Sequence, residues 1–417
     1  MNEEEIRKYC LSCKNKPCSN NGCPLSNNIQ EFIHEEDHKK AYEILCETTV
    51  LPAVCGRICP HEKQCQGSCV RGIKGEPVQI GKMEAFIGDI SIREDHKIPQ
   101  SIDKNLTNKK VAIIGGGPAG LTCAAFLAKK GVNVKIYEKH NELGGLLSHG
   151  IPTFRLESST VKETINKILE LGVDVELNKE LGRNLELEEL ISKNDAVFVA
   201  IGANIPAKMN IEGENLAGVY GGNDLLEYNK HPLYDGKTVA VIGGGNVAMD
   251  SARTIKRLGA DKVSVIYRRA EEQMPAEKKE IEDAKCEGIE FLFKTNILKI
   301  IGTEKVEKIE CIKTELVQKE GESRLVPVNI PNSNYSMNVD YVVMATGSKP
   351  DEKSIEDFEK NRWGYIEIDE NMQTSIPKVF AGGDIAGEKS TVAWASKSGR
   401  EAANNIIKFL KKNNDYN

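Results

Sequence analysis

No apolar run in this chain is long enough to span a bilayer, because a membrane-crossing helix needs about 20 consecutive apolar residues. Its opening residues, MNEEEIRKYC, also lack the apolar core of a secretory signal. A cytoplasmic location is the expectation that follows. Basic charge is not in excess either: 56 Lys and Arg stand against 62 Asp and Glu, for a net charge of -6. Nucleic acid and anionic membrane surfaces both reward basic patches, so neither is an expected partner. Low-complexity segments are absent apart from the polar tail from Lys411 to Asn417, which is expected to fray. What remains is a chain of 417 residues, long enough for two or three domains with their own cores.

The 12 cysteines are the first positive signal. In a reducing compartment structural disulfides are disfavoured, so metal or redox use is expected. Nine of them precede Val70, as Cys10-x2-Cys13-x4-Cys18-x4-Cys23-Pro24, a lone Cys46, and Cys55-x3-Cys59-Pro60-x4-Cys65-x3-Cys69. Close thiolate spacing lets a short loop wrap a soft metal centre, and bacterial ferredoxins use a similar run ending in Cys-Pro whose fourth cysteine ligates the other cluster. Two iron–sulfur clusters with interleaved ligands are therefore expected. Two structural zinc sites are the alternative, weakened because zinc sites usually pair Cys-x2-Cys units and only one occurs here. Between the quartets, Ile29 to Ile33 and Ala41 to Cys46 read as two short helices, with Cys46 in their apolar stripe. His34 and His38 sit among charged neighbours and read as a solvated turn. A further helix is expected from Lys82 to Asp89, and residues 91–109 read as a linker.

The second signal is KVAIIGGGPAGLTCAAFLAKKGVNVKIYEK, from Lys110. A buried strand, Val111 to Ile114, leads into Gly115, Gly117 and Gly120 at G-x-G-x-x-G spacing. A helix follows over 121–130, then a strand, Val132 to Tyr137, that ends at Glu138. That order is the one a dinucleotide needs: a tight turn, backbone close to a pyrophosphate, a helix N-terminus facing the anion, and an acid for a ribose hydroxyl. Paired glycines at Gly144 and Gly145 would let backbone lie close to a flavin. No cysteine pair stands near this position or in the second domain. Cys123, Cys286 and Cys311 are isolated and read as packing residues, so electrons on a flavin here would have no dithiol to reduce.

The same unit recurs. Thr238 to Ile242 reads as a strand, Gly243, Gly245 and Ala248 keep G-x-G-x-x-A spacing, and the next strand, Val263 to Tyr267, ends in Arg268 and Arg269. Arginine there accepts a 2′-phosphate through charge-assisted hydrogen bonds, which predicts NADPH over NADH. AVFVAIGA, ending near Gly202, and YVVMATGS, containing Gly347, read as strands where the chain crosses between nucleotide domains. Late in the chain, Val379 to Asp384 reads as a strand ending in an acid for a ribityl hydroxyl, and Thr391 to Ile407 as a helix whose N-terminus could stabilise a reduced flavin.

LPAVCGRICPHEKQCQGSCVRGIKGEPVQIG, GGGPAGL, LGGLLSHGIPTFRL, GGGNVAMD, YRRAEEQMPA and VFAGGDIAGEKSTVAWASKSGREAA together resemble the small subunit of bacterial glutamate synthase and its relatives. Those relatives include the large subunit of the NADH-dependent ferredoxin:NADP oxidoreductase and the N-terminal half of dihydropyrimidine dehydrogenase. The resemblance covers nearly the full chain. It implies an α/β fold with two Rossmann-like, adrenodoxin-reductase-like domains behind a small helical iron–sulfur domain. The expected division is 1–105 for two [4Fe–4S] clusters, 106–232 and 350–417 for FAD, and 233–349 for NADPH.

The resemblance further implies one cluster on Cys10, Cys13, Cys18 and Cys69. The other would use Cys23, Cys59 and Cys65 with Glu84 as a non-cysteine ligand, leaving Cys55 spare, whereas spacing alone would make Cys55 a ligand. One departure is that the family's third gap in the first quartet is usually x3 and here is x4; any N-terminal docking arm is expected to be short or missing. FAD would be held by Gly115, Gly117, Gly120, Glu138, Gly145 and Asp384, and NADPH by Gly243, Gly245, Asn246, Arg268 and Arg269. Pro118, Ala119, Leu146, Arg155, Gly202, Val247, Gly347, Gly383, Thr391 and Ala393 join them as cofactor-binding positions. No catalytic side chain is expected, because the cofactors carry the chemistry. The implied activity is electron transfer from NADPH through FAD and the clusters to a partner subunit, that of glutamate synthase or, alternatively, of a bifurcating transhydrogenase. A stand-alone NAD(P)H:acceptor reductase is the third possibility.

Overall fold

The computed structural model describes residues 1–318 and 324–412. Of the tail expected to fray, Lys411 and Lys412 instead close the last helix, where Lys411 pairs with Asp103 at 2.6 Å, and residues 413–417 lie outside the described residues. It divides into two compact units, Met1–Ala203 with Pro350–Asn417, and Asn204–Lys349. Among the described residues no helix is long and apolar enough to cross a membrane.

The first unit opens with short helices. Glu3–Tyr9 starts at a capping box, in which the Asn2 side chain accepts from Glu5 N at 2.9 Å and the Glu5 carboxylate accepts from Asn2 N at 2.7 Å, satisfying two donors the first turn leaves open. The linking helices are Ile29–His34 and His38–Leu45. Asp37 separates them, accepting from Lys39 N and Lys40 N as an N-cap. Pro52–Ile58 packs on Ile80–Arg93 at Gly56, where a Cβ would collide with the Ala85 backbone. That close approach brings Cys59, at the end of the first helix, near Glu84 on the second. The second helix is longer than Lys82 to Asp89, so the linker begins after Arg93.

Behind these helices stands a five-stranded parallel sheet in the order Val379–Ala381, Ala196–Val199, Lys110–Ile114, Asn133–Glu138, Asp174–Leu177. Its central strand is buried on both faces. Val111 and Ile113 join one core with Leu121, Ala124 and Ala403, while Ala112 and Ile114 join another with Val197, Ile355 and Phe358. Such two-sided burial is why the strand reads as an unbroken apolar run. The helix after the glycine turn spans Pro118–Ala128, starting earlier than residue 121 because proline suits the first helical position. The last helix, Val392–Lys412, covers the same face.

In the second unit a parallel sheet runs Val219–Gly221, Tyr341–Met344, Thr238–Ile242, Lys262–Tyr267, Glu290–Phe293. The helix Asn246–Arg257 follows its glycine turn. An antiparallel sheet is added, with Lys308–Val317 pairing Thr295–Ile301, Val326–Asn329 and Tyr335–Asn338.

Candidate cofactor and metal sites

Cys10, Cys13, Cys18 and Cys69 line one open cavity of about 330 Å³, whose other walls include Leu11, Ile29, Ile33, Val78 and Ile80. Cys69 joins residues far from it in sequence because Arg71 Nε donates to Tyr9 O at 2.9 Å and its guanidinium lies over the Tyr9 ring at 4.3 Å. Burial raises the Cys10 and Cys18 thiols above their ordinary values.

A second set lies deeper. Burial, then Glu84, pushes Cys23 up to about 12. Cys65 is raised by burial, then by Glu84 and Cys23. Cys59 is raised first by a hydrogen bond with Cys55 and then by burial. Glu84 is 5% exposed, and burial pushes its carboxyl up to about 8 against the pull of Asn27, whose Nδ2 donates to Oε1 at 3.2 Å. Three thiols and an acid, each costly to ionise beside the others, are a donor set that a polycationic centre would stabilise in its anionic form. Among the described residues no three His, Cys, Asp or Glu side chains converge as a single metal ion requires. The cavity lined by Cys10, Cys13, Cys18 and Cys69 leaves room between its thiols for a multi-atom cluster. Cys55 is 1% exposed and one helical turn before Cys59.

The first glycine turn carries its acid with it. Both Glu138 carboxylate oxygens accept from backbone, from Gly116 N at 2.7 Å and from His140 N at 2.9 Å. Gly120 has no room for a side chain, since a Cβ there would collide with the Gly115 carbonyl. Gly144 N donates to Gly116 O at 2.8 Å, and the Gly145 and Gly117 backbones face each other. Leu146 then starts the helix Leu146–His149, and Arg155 follows on a turn closed to Pro152 O. The strand end at Ala200, two residues before Gly202, packs on Gly115.

From the other side, Gly383 packs on Ala119, and Gly383 N donates to Ser398 Oγ at 2.8 Å. Thr391 Oγ1 accepts from Trp394 N at 3.4 Å, opening the helix that buries Ala393. Asp384 is the telling residue here. Its Oδ1 is buried without a partner, and burial, then Glu388, pushes its carboxyl up to about 6. An orphaned acceptor beside a dinucleotide turn fits a ligand hydroxyl.

In the second unit Gly245 caps the helix Asn246–Arg257. Asn246 is tied to Glu277, whose backbone N donates to Asn246 Oδ1 at 3.1 Å. Val247 packs into the domain core, and Gly347 O accepts from Ala207 N at 2.9 Å. Arg268 is exposed, while Arg269 Nε is buried without a partner. Burial raises the Tyr267 hydroxyl, and Arg269, Arg268 and Arg324 pull it back. A spare guanidinium donor at that strand end fits an anion.

Residues 109–402 match the family model described as pyridine nucleotide-disulphide oxidoreductase, and residues 2–96 match that of dihydropyrimidine dehydrogenase domain II, 4Fe-4S cluster. The small chain of the NADPH glutamate synthase of Escherichia coli K12 is 36% identical over 96% of this chain and 90% of its own length. The chain belongs to the glutamate synthase small-chain family. It is an oxidoreductase, and its family reaches further: the beta subunit of the NADP(+)-dependent formate dehydrogenase of Moorella thermoacetica is 33% identical over 93% of this chain and 59% of that one. In fold it is similar to FprA of Mycobacterium tuberculosis in complex with NADPH, with a TM-score of 0.67 at 21% identity over 74% of this chain and 86% of that one.

Some expectations for single residues need correcting and others hold. Cys286 is exposed, not packed, because it is the last residue of the helix Lys278–Cys286; Cys46, Cys123 and Cys311 are buried. His34 and His38 lie on separate helices, bonded to Ser12 Oγ and Glu3 Oε1, both at 2.8 Å. Sequence reasoning missed Arg324, which follows a stretch with no motif, and Arg400, which stands inside the quoted GREAA beside Glu401 and reads there as one of a pair of ordinary helix charges.

Proposed function

We propose that this chain is an NADPH-dependent FAD oxidoreductase serving as the small, electron-supplying subunit of a cytoplasmic glutamate synthase. When bound, NADPH would supply a hydride, FAD the conversion of its electron pair to single electrons, and two [4Fe–4S] clusters the onward transfer to the partner. The chain's own residues bind and orient these groups. Segments 106–203 and 350–417 hold FAD, the boundary falling at Ala203 and not at residue 232 because Val219–Gly221 pairs into the second sheet: the glycine turn faces the pyrophosphate, Glu138 meets a ribose hydroxyl and Asp384 a ribityl hydroxyl. Segment 204–349 holds NADPH, with Arg268 and Arg269 on the 2′-phosphate. Segment 1–105 holds the clusters, one on Cys10, Cys13, Cys18 and Cys69 and the other on Cys23, Cys59, Cys65 and Glu84.

The observation that carries this reading is the presence of two thiol sets in the same unit as the first glycine turn, while Cys123 on that turn's helix is fully buried and free. Electrons leaving a flavin there have thiol-bound centres, not a dithiol, to go to. The full-length likeness to glutamate synthase small chains supports the choice of partner, a large glutamine-hydrolysing subunit. The test is anaerobic capture of the tagged protein from its host, with partner masses read and NADPH-driven glutamate formation from glutamine and 2-oxoglutarate assayed. A large partner with that activity supports the assignment. A small flavin and [2Fe–2S] partner with no glutamate made transfers it to the transhydrogenase, and no partner transfers it to a stand-alone reductase.

A further inference from the structure

Arg400 stands on the helix Val392–Lys412, one residue beyond the glycine that packs against Ala119 of the first dinucleotide turn. Its Nη1 reaches away from that turn and donates to two carbonyls, Leu25 O at 2.9 Å and Thr48 O at 2.8 Å. Each carbonyl leads to the second thiol set. Leu25 follows Cys23 by two residues. Thr48 Oγ1 donates to Asn27 Oδ1 at 2.8 Å, and Asn27 Nδ2 donates to Glu84 Oε1 at 3.2 Å. One guanidinium is thus hydrogen-bonded toward both the Cys23 and the Glu84 sides of the set, from a helix that also packs on the flavin turn.

Both acceptors are neutral, so the cationic charge is not cancelled by the bonds that hold it. Burial disfavours that charge, and Glu401 and Cys23 support it. Glu401 is shared with Lys397 at 3.7 Å. In a low-dielectric setting such a fixed charge acts strongly on its neighbours, and iron–sulfur potentials respond to net charge and hydrogen bonding around the cluster.

Resting on the reading above, we propose that Arg400 is a positioning residue that raises the reduction potential of the iron–sulfur group held by Cys23, Cys59, Cys65 and Glu84. With the group bound, the fixed charge of Arg400 would offset that of the one electron the group would take from a reduced flavin. No proton moves with it, because a guanidinium keeps its own.

The test is a redox titration of the iron-loaded protein, followed by electron paramagnetic resonance, for wild type, Arg400→Gln and Arg400→Lys. Arg400→Gln is expected to move one iron–sulfur signal to a more negative midpoint potential and leave the other in place, while Arg400→Lys stays near wild type. Unchanged potentials in Arg400→Gln, or an equal shift in Arg400→Lys, overturn the proposal. Should Arg400→Gln fail to hold iron, Glu401→Gln serves instead: removing that counter-charge is expected to shift the same signal to more positive potential, and no shift overturns the proposal. A wild-type protein that binds no iron–sulfur group overturns the underlying cluster assignment as well, whereas unshifted signals in loaded variants overturn only the role of Arg400.

Discussion

Gly399 lies against the carbonyl oxygen of Ala119, so close that a Cβ on the glycine would collide with it. Both atoms at fault are backbone-fixed, and neither helix can relieve the clash by rotating a side chain. Gly399→Ala must therefore push Val392–Lys412 off Pro118–Ala128, at the cost of about 1–3 kcal/mol typical of overpacking. The expected outcome is a lower thermal midpoint together with less FAD retained after gel filtration. Wild-type flavin content and stability in the variant would show that the two helices are not so tightly apposed.

What the sequence made legible follows from what backbone geometry demands. The two glycine turns could be read because only small residues fit there, at fixed offsets from a strand and a helix, and Glu138 and Arg268 followed at the ends of the next strands. The division of the cysteines could not be read from spacing. Cys69 is drawn away from its own quartet by Arg71 clasping Tyr9, and Glu84 comes near Cys59 because two helices meet at Gly56. Such contacts join residues dozens of positions apart and leave no local pattern. The antiparallel strands between Thr295 and Asn338, and the bond from Arg400 to Leu25 across 375 positions, were hidden for the same reason.

Arg269 Nε is a buried donor without a partner, and Arg268 stands beside it at the same strand end. If the pair holds a 2′-phosphate, each charge-assisted bond contributes about 1.5–3 kcal/mol. Arg268→Ala with Arg269→Ala is then expected to lower kcat/KM for NADPH about 100-fold or more while leaving that for NADH within a few-fold. Steady-state rates with both coenzymes and a dye acceptor check this; an unchanged NADPH preference would assign the discrimination elsewhere.

If the deeper set holds an iron–sulfur cluster, Cys55 and Glu84 are the rivals for its fourth ligand, and they separate cleanly. Glu84→Ala removes the carboxyl that faces Cys23 and Cys65, so it is expected to cost one of two iron–sulfur signals and about half the bound iron. Cys55→Ala should keep both signals. Iron and sulfide analysis with low-temperature spectra decides it, and the reverse pattern would make Cys55 the ligand.

Asp384 gives the folded chain a pH dependence whose sign can be worked out. Burial and then Glu388 hold its carboxyl at about 6 in the folded chain, against about 3.9 for an unperturbed aspartate. A raised acid contributes its stability in full below about pH 4 and loses it as pH rises through about 6. Flavin-free wild type should therefore be less stable at pH 8 than flavin-free Asp384→Asn, by about 2–3 kcal/mol, and the gap should close near pH 4. If a hydroxyl of FAD donates to Asp384, the order changes with FAD bound, because the amide is a weaker acceptor than the carboxylate, and Asp384→Asn should bind FAD about tenfold more weakly at pH 8. Denaturant melts of the stripped proteins at the two pH values, paired with FAD titrations, test both halves. A pH-independent gap would mean that Asp384 ionises freely, and equal FAD affinity would remove it from the ribityl contact.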